Sequence, residues 1–504
     1  MRRVAGRIPG TVLFVTIDFL VFFVIVYALF WVLPVRVRIT FLAAASLVFY
    51  ASWSPVFALH FVGVAFLNWF VMEVWRRRPR KWLFVALQLA NVLNIAFFKY
   101  FYLLADSVGY LFDLPFLREG ALREQHRSLG MVVALPLAIS FYTFQVMSYG
   151  IDLYRGRYTR KHSFLDFFLY LAFFPQLIAG PIMRASELLG QISDYETGKH
   201  TLPNPVRMKK GLWLIWIGIV KKVFIAEELL RFAAPLTTAT EPASFAPEYA
   251  WLWIVANLVM LYADFSAYSD FARGFGYMLG FDIPINFRAP FFMHSFTDLW
   301  RRWHLTFVAW LRDYVYIPLG GNRLGEARQY VNLVLTFTLG GLWHGATYSF
   351  LVWGLIMGAL LSAEAFLRQR GFPDLPAGRV ARVVRVGGVW LLYLSTGVFF
   401  FEPSPDKAIV MFMHLFDVRA LGVFDVFGVS GAFGAAAGQA LPRVHVLVLA
   451  IAGSVVFQWF ENSPRKFIWF RRHDNILLAI LYVVVVVGLV QAPRHTSDFF
   501  YFQF

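Results

Sequence analysis

The chain has 504 residues, 59% of them hydrophobic and only 15% charged, where an average soluble domain carries about 25% charged residues. It contains no cysteine, so disulfides, thiolate nucleophiles and cysteine-held metals are excluded. The formal net charge of +16 falls in short loops between apolar runs. That is the distribution of cytoplasmic loops in a membrane protein, not of a nucleic-acid-binding face.

Runs of ~20 mostly apolar residues cross a hydrocarbon core of ~30 Å as helices, and the runs here are too continuous for the alternation of a membrane barrel. The chain therefore reads as an all-α, polytopic transmembrane helical bundle of about 11–13 crossings, with short re-entrant or interfacial helices and a central tunnel. Early spans are expected at 11–33, 39–53, 56–75, 82–104 and 131–151. The first reads as a retained span, because no small-residue cleavage site follows it. Next come 164–182 and 211–232, the latter with only ten apolar positions before Lys221-Lys222, which suits a buried or interfacial helix. Further apolar segments lie at 249–265, 297–317, 328–342, 346–368, 386–402, 443–460 and 475–491.

Three regions follow: an N-terminal transmembrane scaffold (1–151), a central working region (152–370) and a C-terminal transmembrane bundle (371–504). Pro175, Gly180-Pro181, Pro284, Pro290, Pro318 and Gly320-Gly321 interrupt the middle region. Non-helical backbone at membrane depth is tolerated only where protein or a water-filled cavity covers it, so the working site is expected there. The Gly/Ala-rich stretch 431–438 reads as a loop. The basic loops at 76–81 and 155–161 fall on one face by parity, which the positive-inside rule makes cytoplasmic, and this places the amino terminus outside, although Arg2, Arg3 and Arg7 argue the opposite.

Two histidines stand out in this apolar setting: His304 in Trp300-Arg-Arg-Trp-His304 and His344 in Gly341-Leu-Trp-His-Gly345. A polar ring at bilayer depth costs free energy unless it is partnered, faces a cavity or does chemistry. Imidazole, with an unperturbed pKa near 6.5, is suited to general-base work. Ser295 or Thr297 is placed to cap a helix running toward Pro318, on which Arg301, His304 and Thr297 would share one face. Asp298 has the spacing to pair with Arg301 or Arg302. Neither histidine has the helical ligand spacing of a zinc site, so no metal is expected. Gly276-x-x-x-Gly280 and Gly354-x-x-x-Gly358 read as helix-packing signals. No Walker loop and no Gly-x-Ser-x-Gly elbow is present.

A wider set of motifs joins these residues. Phe141-Tyr-Thr-Phe-Gln145 with Ser148-Tyr-Gly-Ile-Asp152, Phe173-Phe-Pro-Gln176 with Ala179-Gly-Pro181, and Asp264-Phe-Ser-Ala-Tyr-Ser-Asp270 come first. Asn286-Phe-Arg-Ala-Pro290, the stretch 300–322, Gly340-Gly-Leu-Trp-His-Gly345 and the terminal Tyr501-Phe-Gln-Phe504 follow. In this combination the chain resembles the membrane-bound O-acyltransferase family, and within it the alginate O-acetylase branch.

The resemblance implies that His344 is the principal catalytic histidine and His304 the second, and that 152–370 is the catalytic core. It implies acetyl-CoA as the cytoplasmic donor, with transfer across the bacterial inner membrane to an exopolysaccharide such as alginate through periplasmic partner proteins. The candidate substrate-binding residues are Arg301, Arg302, Trp343, Asp313 and Asn322. Thr306 and Val308-Ala309 stand where small hydroxyl residues are more usual in the family. D-alanyl transfer to teichoic acid is the alternative on the same fold. A polysaccharide export or transport component is the alternative outside enzymes, but it expects two related halves with matching broken helices, and the sequence has no such repeat.

Overall fold

The computed structural model describes residues 14–128, 134–196, 202–237, 247–372, 378–416 and 444–461. The expected span at 475–491, the stretch 431–438 and the terminal 501–504 lie outside them. The described residues are helical throughout, joined by short turns and extended segments. Five helices among them are long and apolar enough to cross a membrane: Pro55–Arg77, Lys81–Leu111, Ala250–Met278, Tyr348–Gln369 and Arg379–Phe401. Their outward residues are apolar, as lipid contact requires: Leu59, Leu93, Leu355 and Leu391 are all exposed.

The chain forms two compact units, one reaching to Leu214 and including Phe271–Pro284, the other made of Ile215–Asp270 and everything from Ile285 onward. The first is held by aromatic packing. Phe19 and Phe23 of helix Ile17–Val32 meet Phe275 at 5.1 and 4.4 Å between ring centroids, and Phe174 packs on Phe22 and Phe49. Some polar side chains in this unit pair with one another. Asn68 and Asn91 exchange reciprocal side-chain amide hydrogen bonds, and His60 Nε2 donates to Asn94 Oδ1 at 2.9 Å. Such pairing is what an apolar surround demands. The segment 164–182 does not run as one span. Helix Phe164–Ala172 stops before the short turn Phe174–Leu177, where Pro175 interrupts it.

The second unit carries the residues of interest. Helix Pro205–Ile219 passes through a π-helical turn, Val220–Ala226, into helix Glu227–Thr237. Lys221-Lys222 therefore falls inside a buried helical turn, one of the two placements that the short apolar run suggested. Both lysines are buried, and their ammonium groups reach carboxylates from distant sequence: Lys221 to Asp270 at 2.8 Å, Lys222 to Asp264 at 3.0 Å and to Glu227 at 3.2 Å. Buried charge persists only when paired in this way. Around this network, the long helix Pro247–Met278 packs with the aromatic residues of 290–310, 350–361 and 389–401 into one core.

Candidate active site

A helical hairpin delivers His344. Helix Glu326–His344 ends on the histidine itself, and helix Tyr348–Gln369 begins four residues later, its Thr347 side chain accepting from the Phe350 amide. The two helices lie in backbone contact because glycine occupies the crossing. A Cβ on Gly341 would stand 2.3 Å from the Phe350 carbonyl oxygen, one on Gly354 2.5 Å from that of Phe337, and one on Gly358 2.6 Å from the Val334 Cα. Gly354-x-x-x-Gly358 is thus the packing signal its spacing indicates.

The His344 ring sits in an aromatic cage. Phe400 approaches edge-on at 5.0 Å, Trp353 edge-on at 5.4 Å, Phe307 at 5.7 Å, and Phe350 stacks at 6.2 Å. Beside the imidazole lies a cavity of about 30 Å³, walled chiefly by Trp300, Trp303, Trp353, Tyr393, Phe400 and Phe401. Among these walls His344 supplies the titratable base. A cavity holds a water once about 10–15 Å³ is free to it, so this one has room for a small group.

His304 is held quite differently. Ser295 caps the start of this segment, accepting from the Asp298 amide, and Asp298 pairs with Arg302 at 2.8 Å, both as the spacing indicated. The helix nevertheless stops at Trp300. His304 has φ of 46°, in the left-handed region, and helix resumes only at Leu305, passing into a π-turn at Arg312–Tyr316. The single helix expected from Thr297 toward Pro318 is therefore two short helices with a turn between them. The shared face expected for Arg301 and His304 does not exist: Arg301 is exposed, while His304 is 1% exposed.

The cause lies 18 residues upstream. The extended segment around Asn286 pairs with the turn, Leu305 N donating to the Asn286 carbonyl at 2.9 Å and Arg288 N to that of Arg302 at 2.8 Å. The Asn286 side chain completes the grip through His304 Nδ1 at 3.1 Å and Thr306 Oγ1 at 2.9 Å. A non-glycine residue in this backbone region costs about 1–3 kcal/mol, and such residues persist where surrounding contacts over-determine them, often at functional sites.

The two histidines converge on one aromatic pair. Phe307 and Trp343 stack at 4.3 Å, and each touches both imidazoles: His304 lies 5.0 Å from Phe307 and 5.6 Å from Trp343, while His344 lies 5.7 Å from Phe307 and 5.1 Å from Trp343. Of the other candidates, Trp343 is thus built into the site as a buried spacer. Arg302 is engaged by Asp298, Asp313 is buried and pairs with its neighbour Arg312 at 2.7 Å, and Asn322 is exposed beyond the Gly320-Gly321 turn.

Three features escaped the sequence reading. The first is Asn286, whose role depends on a distant turn. The second is Glu364, buried on helix Tyr348–Gln369, which accepts from the amides of Phe296 and Thr297 at 2.7 and 3.3 Å and from Arg368 at 3.0 Å. It thereby ties the helix bearing Trp300 to the one bearing Trp353, two walls of the cavity. An acidic residue in a transmembrane run is itself a signal that could have found it. The third is the paired cluster around Lys221 and Lys222. Among the described residues no three ligating side chains come together as a metal site.

A helical membrane protein with one buried imidazole on the wall of a small aromatic cavity, and a second against the same Phe307–Trp343 pair, has the makings of an integral-membrane group-transfer site. Residues 157–401 match the membrane-bound O-acyltransferase family. The chain is 38% identical over 344 residues to a probable alginate O-acetylase of Pseudomonas aeruginosa, covering 67% of this chain and 63% of that protein. It is 35% identical over 398 residues to a probable alginate O-acetylase of Azotobacter vinelandii, covering 77% and 74% respectively. Against a peptidoglycan O-acetyltransferase of Helicobacter pylori the identity is 36% over 353 residues, covering 64% and 63%. The chain belongs to the membrane-bound O-acyltransferase family.

Proposed function

We propose that the chain is an O-acetyltransferase of the bacterial inner membrane that passes an acetyl group from cytoplasmic acetyl-CoA to a polysaccharide hydroxyl, working with periplasmic partner proteins. The observation that carries this reading is the placement of His344 on the wall of a cavity of about 30 Å³. A buried base next to a small aromatic-walled space suits a short acyl group such as acetyl.

In the proposed step His344, at the centre of a catalytic core spanning 152–370, takes the proton of the acceptor hydroxyl. The oxygen attacks the thioester carbonyl, the new C–O bond forms, the C–S bond breaks, and the imidazolium returns the proton to the departing thiolate. General-base catalysis of this kind contributes typically 10²- to 10⁴-fold. His304 is the second polar partner, holding the acceptor hydroxyl from across the Phe307–Trp343 pair. Arg301, exposed at the start of the turn, offers its charge to the anionic donor. An exopolysaccharide such as alginate is the favoured acceptor. The likeness to the Helicobacter pylori protein supports peptidoglycan glycan as a second one.

The test uses membranes carrying the full chain and its partner proteins, labelled acetyl-CoA, and recovery of label in polysaccharide. His344→Ala is expected to lower transfer at least about 10²-fold with the protein still inserted and abundant. Undiminished transfer removes His344 from the mechanism. Transfer of labelled D-alanine from a carrier protein, with none of acetyl, replaces the acetyl reading by D-alanyl transfer.

A further inference from the structure

Asn286 belongs to no reacting group, yet its side-chain oxygen is among the most engaged atoms of the site. It faces the Thr306 amide nitrogen at 3.3 Å, the Thr306 hydroxyl at 2.9 Å and His304 Nδ1 at 3.1 Å. A backbone N–H donates and cannot accept, so the Asn286 atom opposite it is the carbonyl oxygen and not the amide nitrogen. The amide nitrogen points the other way, toward Ser269 Oγ at 3.5 Å. Because that same carbonyl oxygen faces His304 Nδ1, the hydrogen of the neutral imidazole must sit on Nδ1.

Tautomer and bare nitrogen are complementary in a neutral imidazole, so Nε2 is then an acceptor without hydrogen. His304 Nε2 is buried with no hydrogen-bond partner among the described residues. Leaving a buried acceptor unsatisfied is costly. The ring cannot turn to relieve it. Phe265 stands edge-on at 4.7 Å, Phe307 and Trp343 flank it, and its own backbone is fixed in the left-handed region by the Asn286 carbonyl.

We propose that Asn286 is a positioning residue that locks His304 in the Nδ1–H tautomer, so that bare Nε2 is presented to the hydroxyl of the incoming acceptor. The proposal rests on the acyl-transfer reading above, in which His304 handles that hydroxyl. The acceptor O–H first donates to Nε2, which holds its oxygen in place, and then turns its one hydrogen to His344 as that oxygen attacks the thioester carbonyl and the C–S bond breaks. Asn286 touches neither reactant and acts only through the imidazole.

The experiment is solid-state ¹⁵N and ¹³C NMR of full-length, histidine-labelled protein in membranes, the His304 signal being identified by its loss in His304→Gln. In the wild type, protonated Nδ1 and unprotonated Nε2 are expected. A wild type protonated at Nε2 overturns the proposal without recourse to any variant. Asn286→Leu, which keeps the size and removes the acceptor, should abolish the Nδ1–H signature and lower kcat by at least about 10²-fold, with the donor KM within about twofold. Asn286→Asp, which keeps an acceptor oxygen, should retain protonated Nδ1. An Asn286→Leu protein with unchanged tautomer and kcat defeats the assignment. Full transfer by His304→Gln would instead strike the role given to His304 itself, whatever the spectrum shows.

Discussion

The two histidines reach the same Phe307–Trp343 pair from opposite kinds of structure. The hairpin bearing His344 is regular: two long helices pressed together by glycine, with the histidine at a helix end. The segment bearing His304 is broken into short helices, and its geometry is imposed by hydrogen bonds from Asn286 and Glu364, one upstream and one downstream in sequence. Precision comes from steric contact in the first region and from polar contact in the second. The two should therefore fail in different ways when cut.

The sharpest way to break the contrast is to widen the hairpin. Gly341→Ala places a methyl against backbone atoms of Phe350 and Gly354, which cannot yield as a side chain would. Overpacking costs typically 1–3 kcal/mol, so thermal unfolding in detergent should move down by several degrees and transfer should fall by more than about tenfold. An unshifted unfolding temperature would show that the helices have slack at this crossing.

A smaller effect is expected in the broken segment from Glu364→Ala, which strips the acceptor from the Phe296 and Thr297 amides and removes the carboxylate that Arg368 meets at 3.0 Å. Loss of such an acceptor costs about 1–3 kcal/mol. Here Glu364→Gln, still able to accept, should recover most of the activity, whereas no conservative replacement rescues Gly341. Equal damage from Gln and Ala would mean that charge, and not amide capping, is what this position supplies.

Phe400→Ala touches the cage rather than either support. Removing a ring 5.0 Å from His344 enlarges the cavity wall. Because one methylene in an apolar pocket is worth about 1–3 kcal/mol of discrimination, propionyl transfer should gain about tenfold or more relative to acetyl. An unaltered ratio would place the length limit elsewhere. The mildest change is Arg301→Ala, which alters an exposed side chain: stability should hold within about 0.5 kcal/mol, and donor KM should rise a few-fold as added salt makes the difference fade.

What sequence could reach follows the same division. Membrane class, the packing pair Gly354-x-x-x-Gly358, the Ser295 cap and the Asp298–Arg302 pair are local in origin, set by composition or by spacings of three and four residues, and each is legible; Gly280 instead lies in a turn beyond Met278, at φ of 85°. The turn at His304 is not. Trp300-Arg-Arg-Trp-His304 carries no proline or glycine to stop a helix, and the interruption is enforced by backbone pairing with a segment 18 residues away. The partners of Lys221-Lys222 were hidden for a similar reason. Two adjacent lysines look like the end of an apolar run, and only the fold brings up Asp270, 49 residues on, to bury them. Within the candidate site, His304 and His344 could be picked out because ionisable rings are conspicuous in apolar sequence. Their supporting amide and carboxylate could not be ranked, since what they do depends on tertiary contact.

The cage around His344 has one more consequence. In the proposed reaction a thioester beside the His344 base would be at risk from any small nucleophile, and water outnumbers every alcohol in the cell. Crowding the base with Phe400, Trp353, Phe350 and Phe307 keeps its surroundings poor in hydrogen-bonding groups that would retain a stray solvent molecule. On the acetyl-transfer reading proposed above, the same rings would curb wasteful hydrolysis, and an enlarged cage should leak free acetate before it gains any new substrate.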